Sequence, residues 1–158
     1  MKHEMLSLNK VTLSKSGKYE CQNVSMTNYI VIIECFDISP SNFDDSPLIA
    51  LGLRDGRIVV TKLKKSSSGE YFFNPIVNEE QFMLPSGTPA KILWNLINVN
   101  LFAVYSKVHQ MKSSLTILDV TKLINQSDKN CNNACYRKYT FGINEPTTSI
   151  CWHGTDQN

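Results

Sequence analysis

Cys131, Cys135, Cys151 and His153 are the residue types that hold a tetrahedral zinc ion, three thiolates and an imidazole. Their spacing argues for a different role. Cys131-Asn-Asn-Ala-Cys135 falls in a polar insertion, while Cys151 and His153, two apart in a β-rich stretch, share a face with no evident direction toward that insertion. Free thiols in a loop and in a core strand are the expectation, with no metal ligand assigned.

Nucleophilic catalysis needs a serine or cysteine beside a base, and the chain has three histidines, His3, His109 and His153, with no Gly-x-Ser-x-Gly elbow. His3 stands near the N-terminus and His109 in a turn from Ser106 to Ser113, so no triad is legible. The paired carboxylates Asp44-Asp45 and Glu79-Glu80 lie in polar turns, where solvated charge is the ordinary role. The expectation is a chain with no catalytic, cofactor-binding or metal-binding residues, and not an enzyme.

The stretch LIALGLRDGRIVVTKL, Leu48 to Leu63, contains Gly52 and Gly56 but neither the Gly-Lys-Ser/Thr of a phosphate loop nor the Gly-x-Gly-x-x-Gly of a dinucleotide fold. A phosphate loop also leads into a helix whose N-terminus supplies amide donors, and here the apolar run Ile58-Val59-Val60 follows instead. Asp55-Gly56 between two β-rich runs reads as a type I′ hairpin turn, because glycine accepts positive φ without steric cost. Arg54, Arg57, Lys62, Lys64 and Lys65 form the densest basic set, followed by Ser66-Ser67-Ser68, which can accept phosphate. On an alternating strand Arg57, Val59 and Thr61 share one face and Lys62 and Lys64 the other, so the charges form no single stripe and read as a solvated hairpin rim.

The elements that must position these residues are bounded by composition. The 158 residues, 42% hydrophobic and 19% charged, make one ordinary domain with enough apolar content for a core. A net charge of +2 from 16 basic and 14 acidic residues spread along the chain leaves no electrostatic footprint for nucleic acid or an anionic membrane. The longest apolar run, Tyr29 to Ile33, is far short of the ~20 residues that cross a bilayer, and MKHEMLSLNK at the start has no apolar h-region. Five cysteines at irregular spacings fit free thiols in a reducing compartment, so the sequons at Asn23 and Asn125 read as chance matches. A cytoplasmic chain without membrane insertion or a nucleic-acid partner is expected.

Strand signals dominate. Tyr29 to Ile33 is β-rich, Leu48 to Leu53 and Arg57 to Leu63 flank a turn, and Leu101 to Tyr105 and Leu115 to Val120 repeat that arrangement, with no convincing helical periodicity. Aligning IIECFDIS (Ile32 to Ser39), AKILWNLI (Ala90 to Ile97) and TSICWHG (Thr148 to Gly154) puts Phe36, Trp94 and Trp152 in register at an interval of 58 residues. After the first two aromatics come LIALGL or LFAVYS, then RIVVTKL or SLTILDV, then a more polar fourth candidate, EYFFNPIV from Glu70 or CYRKYTF from Cys135. Four short strands per copy describe a blade of a β-propeller. Inner strands covered on both faces can be continuously apolar, an outermost strand meets water, and a recurring first-strand aromatic is expected to fill the gap between adjacent sheets.

TILDV, Thr116 to Val120, resembles the end of a WD repeat, with Leu118-Asp119 in place of the usual Trp-Asp. The Gly-His that opens such repeats is replaced by sequences such as Ser86-Gly87-Thr88-Pro89. The order IECFDIS, LIALGLRDGRIVVTKL, TPAKILWNLINVNLFAVY, SLTILDV and PTTSICW is similar to the N-terminal propeller of the Mio (missing oocyte) family. That family has an "alanine-valine-glycine, small residue, asparagine-glycine-arginine-valine" hairpin, which Ala50 to Ile58 resembles. Its "leucine-alanine-tryptophan-asparagine-proline" strand is matched by Ile92-Leu93-Trp94-Asn95, with Leu96 in place of the proline.

The resemblance, over Tyr29 to Trp152, implies a partial WD-repeat β-propeller of about two complete four-stranded blades with pieces of the flanking ones. Residues 1–28 would be outer strands of a preceding blade, read from EMLSLNKVTL (Glu4 to Leu13) and KYECQNV (Lys18 to Val24), and 29–158 the propeller blades. It implies a fragment, since the family continues with further blades, a helical solenoid and a zinc-binding RING-like end. It further implies a non-enzymatic scaffold subunit of the SEA/GATOR assembly, which relays amino-acid sufficiency to the TOR kinase complex at the lysosomal or vacuolar membrane. Its partners would be the sibling WD-repeat subunits and small Sec13/Seh1-type propellers; the alternatives are another intracellular WD-repeat scaffold, in trafficking or complex assembly, and a small β-rich metal-binding protein or enzyme.

Overall fold

The computed structural model describes residues 4–13, 15, 17–29, 31–40, 46–77, 83–84, 87–109, 112–121, 137–144, 147 and 149–153. Among them the regular elements are strands: β1 (Glu4–Leu13), β2 (Tyr19–Tyr29), β3 (Ile33–Ile38), β4 (Leu48–Leu53), β5 (Ile58–Lys65), β6 (Tyr71–Val77), β7 (Thr88–Trp94), β8 (Leu101–His109), β9 (Lys112–Asp119) and β10 (Arg137–Ile143). They form one two-stranded and two four-stranded antiparallel sheets, in the orders β1-β2, β3-β4-β5-β6 and β10-β9-β8-β7. Each four-stranded sheet is a meander whose strands follow chain order, the expected layout of blades in a partial β-propeller.

Strand placement follows burial. LIALGL in β4 is buried at every position because it is second in its sheet and covered on both faces. Leu48, Ala50, Ile58 and Val60 pack on Ile92, Trp94, Phe102, Val104 and Leu118 of the second sheet, and this is the main core. Ile49, Leu51, Leu53 and Val59, on the opposite face of the first sheet, form a second cluster with Val31, Ile33 and Phe73. The outermost strands β6 and β10 expose Tyr71, Phe72, Tyr139 and Phe141, the mixed character expected of an edge.

Three local expectations are corrected. Tyr29 to Ile33 is not one strand: Tyr29 ends β2, where it pairs with Glu4, and β3 begins at Ile33. The long partner β1 captures the chain as far as Tyr29, so β2 runs beyond the Val24 read from sequence. The β4–β5 turn is also shifted by one residue. Gly56 N–H donates to Leu53 O at 3.0 Å and Leu53 N–H to Arg57 O at 2.9 Å, which places Asp55 third and Gly56 fourth in the turn. With φ of 94° Gly56 is the bulge glycine of a three-residue loop, not a central residue of a type I′ turn. Finally, the aromatic expected to fill a gap between sheets does so at Trp94, 2% exposed, but not at Phe36, 56% exposed. Phe36 pairs with Leu51, so it lies on the face turned away from the second sheet.

Candidate interaction surfaces

The strands that begin each four-stranded sheet, β3 and β7, lie against one another, and β7 also packs on β4. Alternation along β3 decides which side chains reach this seam. Cys35 and Asp37 pair with Gly52 and Ala50 and so share the face turned to the second sheet. The Asp37 carboxylate accepts the Trp94 backbone N–H at 2.6 Å and its own neighbour's N–H, that of Ile38, at 2.9 Å. Trp94 completes the seam: its indole N–H donates to Val99 O at 2.6 Å, and its ring centroid is 5.1 Å from that of Phe102.

Gly52 makes the close approach possible. A β-carbon there would stand 2.6 Å from Pro89 Cβ and 2.8 Å from Cys35 Sγ, both inside contact distance. Cys35 is thereby half-enclosed, and burial first, then the Glu34 carboxylate, push its thiol up to about 12 against a lowering hydrogen bond from the Gly52 backbone. It is a packing thiol and a poor nucleophile.

The next interval repeats the seam. Trp152 donates its indole N–H to Leu93 O at 3.0 Å, and Lys91 reaches Ile150 O at 3.4 Å. Residues 149–153 form no named strand, yet Ile150, Cys151 and Trp152 line a small cavity with Leu93, Ala103, Leu115 and Ile117 on the far face of the second sheet. They occupy on that sheet the position β7 occupies on the first.

The residues weighed for chemistry are scattered. Cys131, Cys135, His3, Asp44, Asp45, Glu79 and Glu80 lie outside the described residues, as does the Asn125 sequon. Cys151 and His153 are exposed. Among the described residues no three His, Cys, Asp or Glu side chains come together in a way that would hold a metal ion, and no helix is long and apolar enough to cross a membrane. Asp119 caps its own turn, accepting from Thr121 N–H at 3.0 Å and Thr121 Oγ1 at 2.6 Å.

The basic hairpin is resolved into two ends. At the turn, Arg54 pairs with Glu34, and Arg57 Nε donates to Asp55 at 2.7 Å. At the other end Lys62, Lys64, Lys65 and Tyr71 line an open groove of about 560 Å³ with Ser46 and Pro47. Alternation put Lys62 and Lys64 on one face but did not show this grouping, which Ser46 and Pro47 before β4 and Tyr71 at the start of β6 complete around the end of β5. The one signal available was the Lys-rich strand end followed by an aromatic.

The chain is 24% identical over 115 residues to the GATOR2 complex protein Mio of Drosophila melanogaster. The match covers 73% of this chain and 11% of Mio, so the chain spans about a tenth of that relative's length. No family model matches the chain, and no solved structure matches it at a significant level.

Proposed function

We propose that the chain contributes consecutive blades of a WD-repeat propeller to a Mio-like, non-enzymatic scaffold subunit of a SEA/GATOR-type complex that promotes TOR complex signalling in response to amino acids. The observation that carries the reading is the seam. Two sheets built at a 58-residue interval stack with β3 against β7, and Trp152 reaches Leu93 one interval on, in a chain with sequence similarity to Mio. In this reading β1 and β2 are outer strands of a preceding blade, and β3 to β10 belong to the blades that follow.

The mechanism is rigid presentation of blade edges and loops with no bond making, and with no metal or cofactor. Partners are the sibling WD-repeat subunits and small propellers of the Sec13 and Seh1 type. The protein works in the cytoplasm at the lysosomal or vacuolar surface, held there through its complex. The test is affinity purification of the full-length product from its own cells, with and without amino acids, followed by identification of co-purifying proteins. Recovery of TOR-pathway scaffold subunits supports the reading; their absence under both conditions overturns it.

A further inference from the structure

We propose that the groove at the open end of the β4–β5 hairpin binds an acidic peptide segment of a protein partner. The proposal rests on the scaffold reading only in taking the ligand to be protein; the site itself is argued from charge and shape.

The hairpin distributes its charge unevenly. Its turn end is neutralised by the Arg57–Asp55 pair and by Glu34 of β3, which pairs with Arg54. Its other end gathers Lys62, Lys64 and Lys65 around one open groove whose lining, among the described residues, includes no carboxylate. Among those residues neither Lys64 nor Lys65 has an ion-pair partner.

Lys65 is also positioned. Its Nζ stands 5.5 Å from the centroid of Tyr71, the residue paired with it across β5–β6, an arrangement that fixes the ammonium over an aromatic face. The Lys64 and Lys65 ammonium groups offer only donors, and Pro47 and Tyr71 supply apolar walls, so the complementary ligand is an extended chain bearing carboxylates. A groove of this size beside a strand end accommodates a few residues, the scale of a linear motif. The basic set is compact, with no stripe that could follow a polynucleotide backbone, which favours peptide over nucleic acid. Asp44 and Asp45 precede Ser46 in the chain and lie outside the described residues, and the experiment is read with them in place.

The experiment is fluorescence anisotropy on the full-length protein with a labelled peptide of alternating glutamate and glycine, its glutamine counterpart, and a labelled single-stranded oligonucleotide. The expected result is binding of the glutamate peptide alone, weakened about tenfold by the Lys64→Glu, Lys65→Glu double variant and retained by Lys64→Arg, Lys65→Arg. Raising salt from about 50 to 300 mM should weaken it severalfold. Equal binding of the glutamine peptide, indifference to charge reversal in a variant with an unchanged thermal melt, or tighter binding of the oligonucleotide each overturns the proposal. So does no binding of the glutamate peptide. Because the assay uses purified protein, its failure is separate from failure to co-purify with TOR-pathway subunits.

Discussion

Asp37 and Trp94, 57 residues apart, are joined by a hydrogen bond of 2.6 Å from the Trp94 backbone N–H to the Asp37 carboxylate, which fastens the first strand of one sheet to the first strand of the next. A charged acceptor at a partly buried seam contributes about 1.5–3 kcal/mol, more than a neutral one. Asp37→Ala should lower the denaturation free energy of the protein by that amount. Asp37→Asn, which keeps an acceptor oxygen, should lose about half as much, and equal losses in urea melts would show that the seam does not depend on this bond.

Trp94 and Phe36 stand at equivalent positions of the repeat but in opposite environments, one 2% and the other 56% exposed. Trp94→Ala should cost about 3–5 kcal/mol through the cavity it opens beside Phe102. Phe36→Ala should cost under about 1 kcal/mol, as for an exposed side chain. A loss below about 1 kcal/mol for Trp94→Ala, measured in the same melts, would count against the packing of the two sheets.

The strand pattern was largely legible because the second strand of each sheet is covered on both faces and reads as an apolar run. Leu48 to Leu53 and Leu101 to Tyr105 are examples, and the 58-residue interval then gave the order of the sheets. What stayed hidden depends on choices made in three dimensions. Asp-Gly serves either a two-residue or a three-residue loop, and only the bond from Gly56 to Leu53 distinguishes them. Phe36 matches Trp94 in the repeat, but its exposure depends on what lies against its face. Alternation placed Lys62 and Lys64 apart from Arg57 correctly, yet it could not show that Lys65 and Tyr71 close around the same groove.

Gly52 and Pro89 test the closeness of the sheets directly. Gly52→Ala places a methyl group 2.6 Å from Pro89 Cβ and should destabilise by about 1–3 kcal/mol. Pro89→Gly removes the opposing carbon, so the double variant should be more stable than the sum of the single losses predicts. Strict additivity in the double-mutant cycle would mean the strain is relieved elsewhere.

Cys35 should be chemically quiet beside Cys21 and Cys151, which are exposed. With its thiol at about 12, the thiolate that alkylating reagents require is scarce near neutral pH. Maleimide labelling of the native protein at about pH 8, followed by peptide mapping, should modify Cys35 last, and denaturant should abolish the difference. The same shift fixes the sign of the pH dependence. The folded value lies above the unfolded one, so this contribution to stability is intact below the ordinary thiol range of about 8.5 and is lost as pH rises toward about 12. Cys35→Ala should flatten that alkaline decline in melts recorded across the range.

The seam residues that hold β3 sit on β7, and Trp152 in turn reaches back to Leu93. These two bonds span 57 and 59 residues, about one interval each, so the face of each sheet is completed by the aromatic segment that opens the next interval.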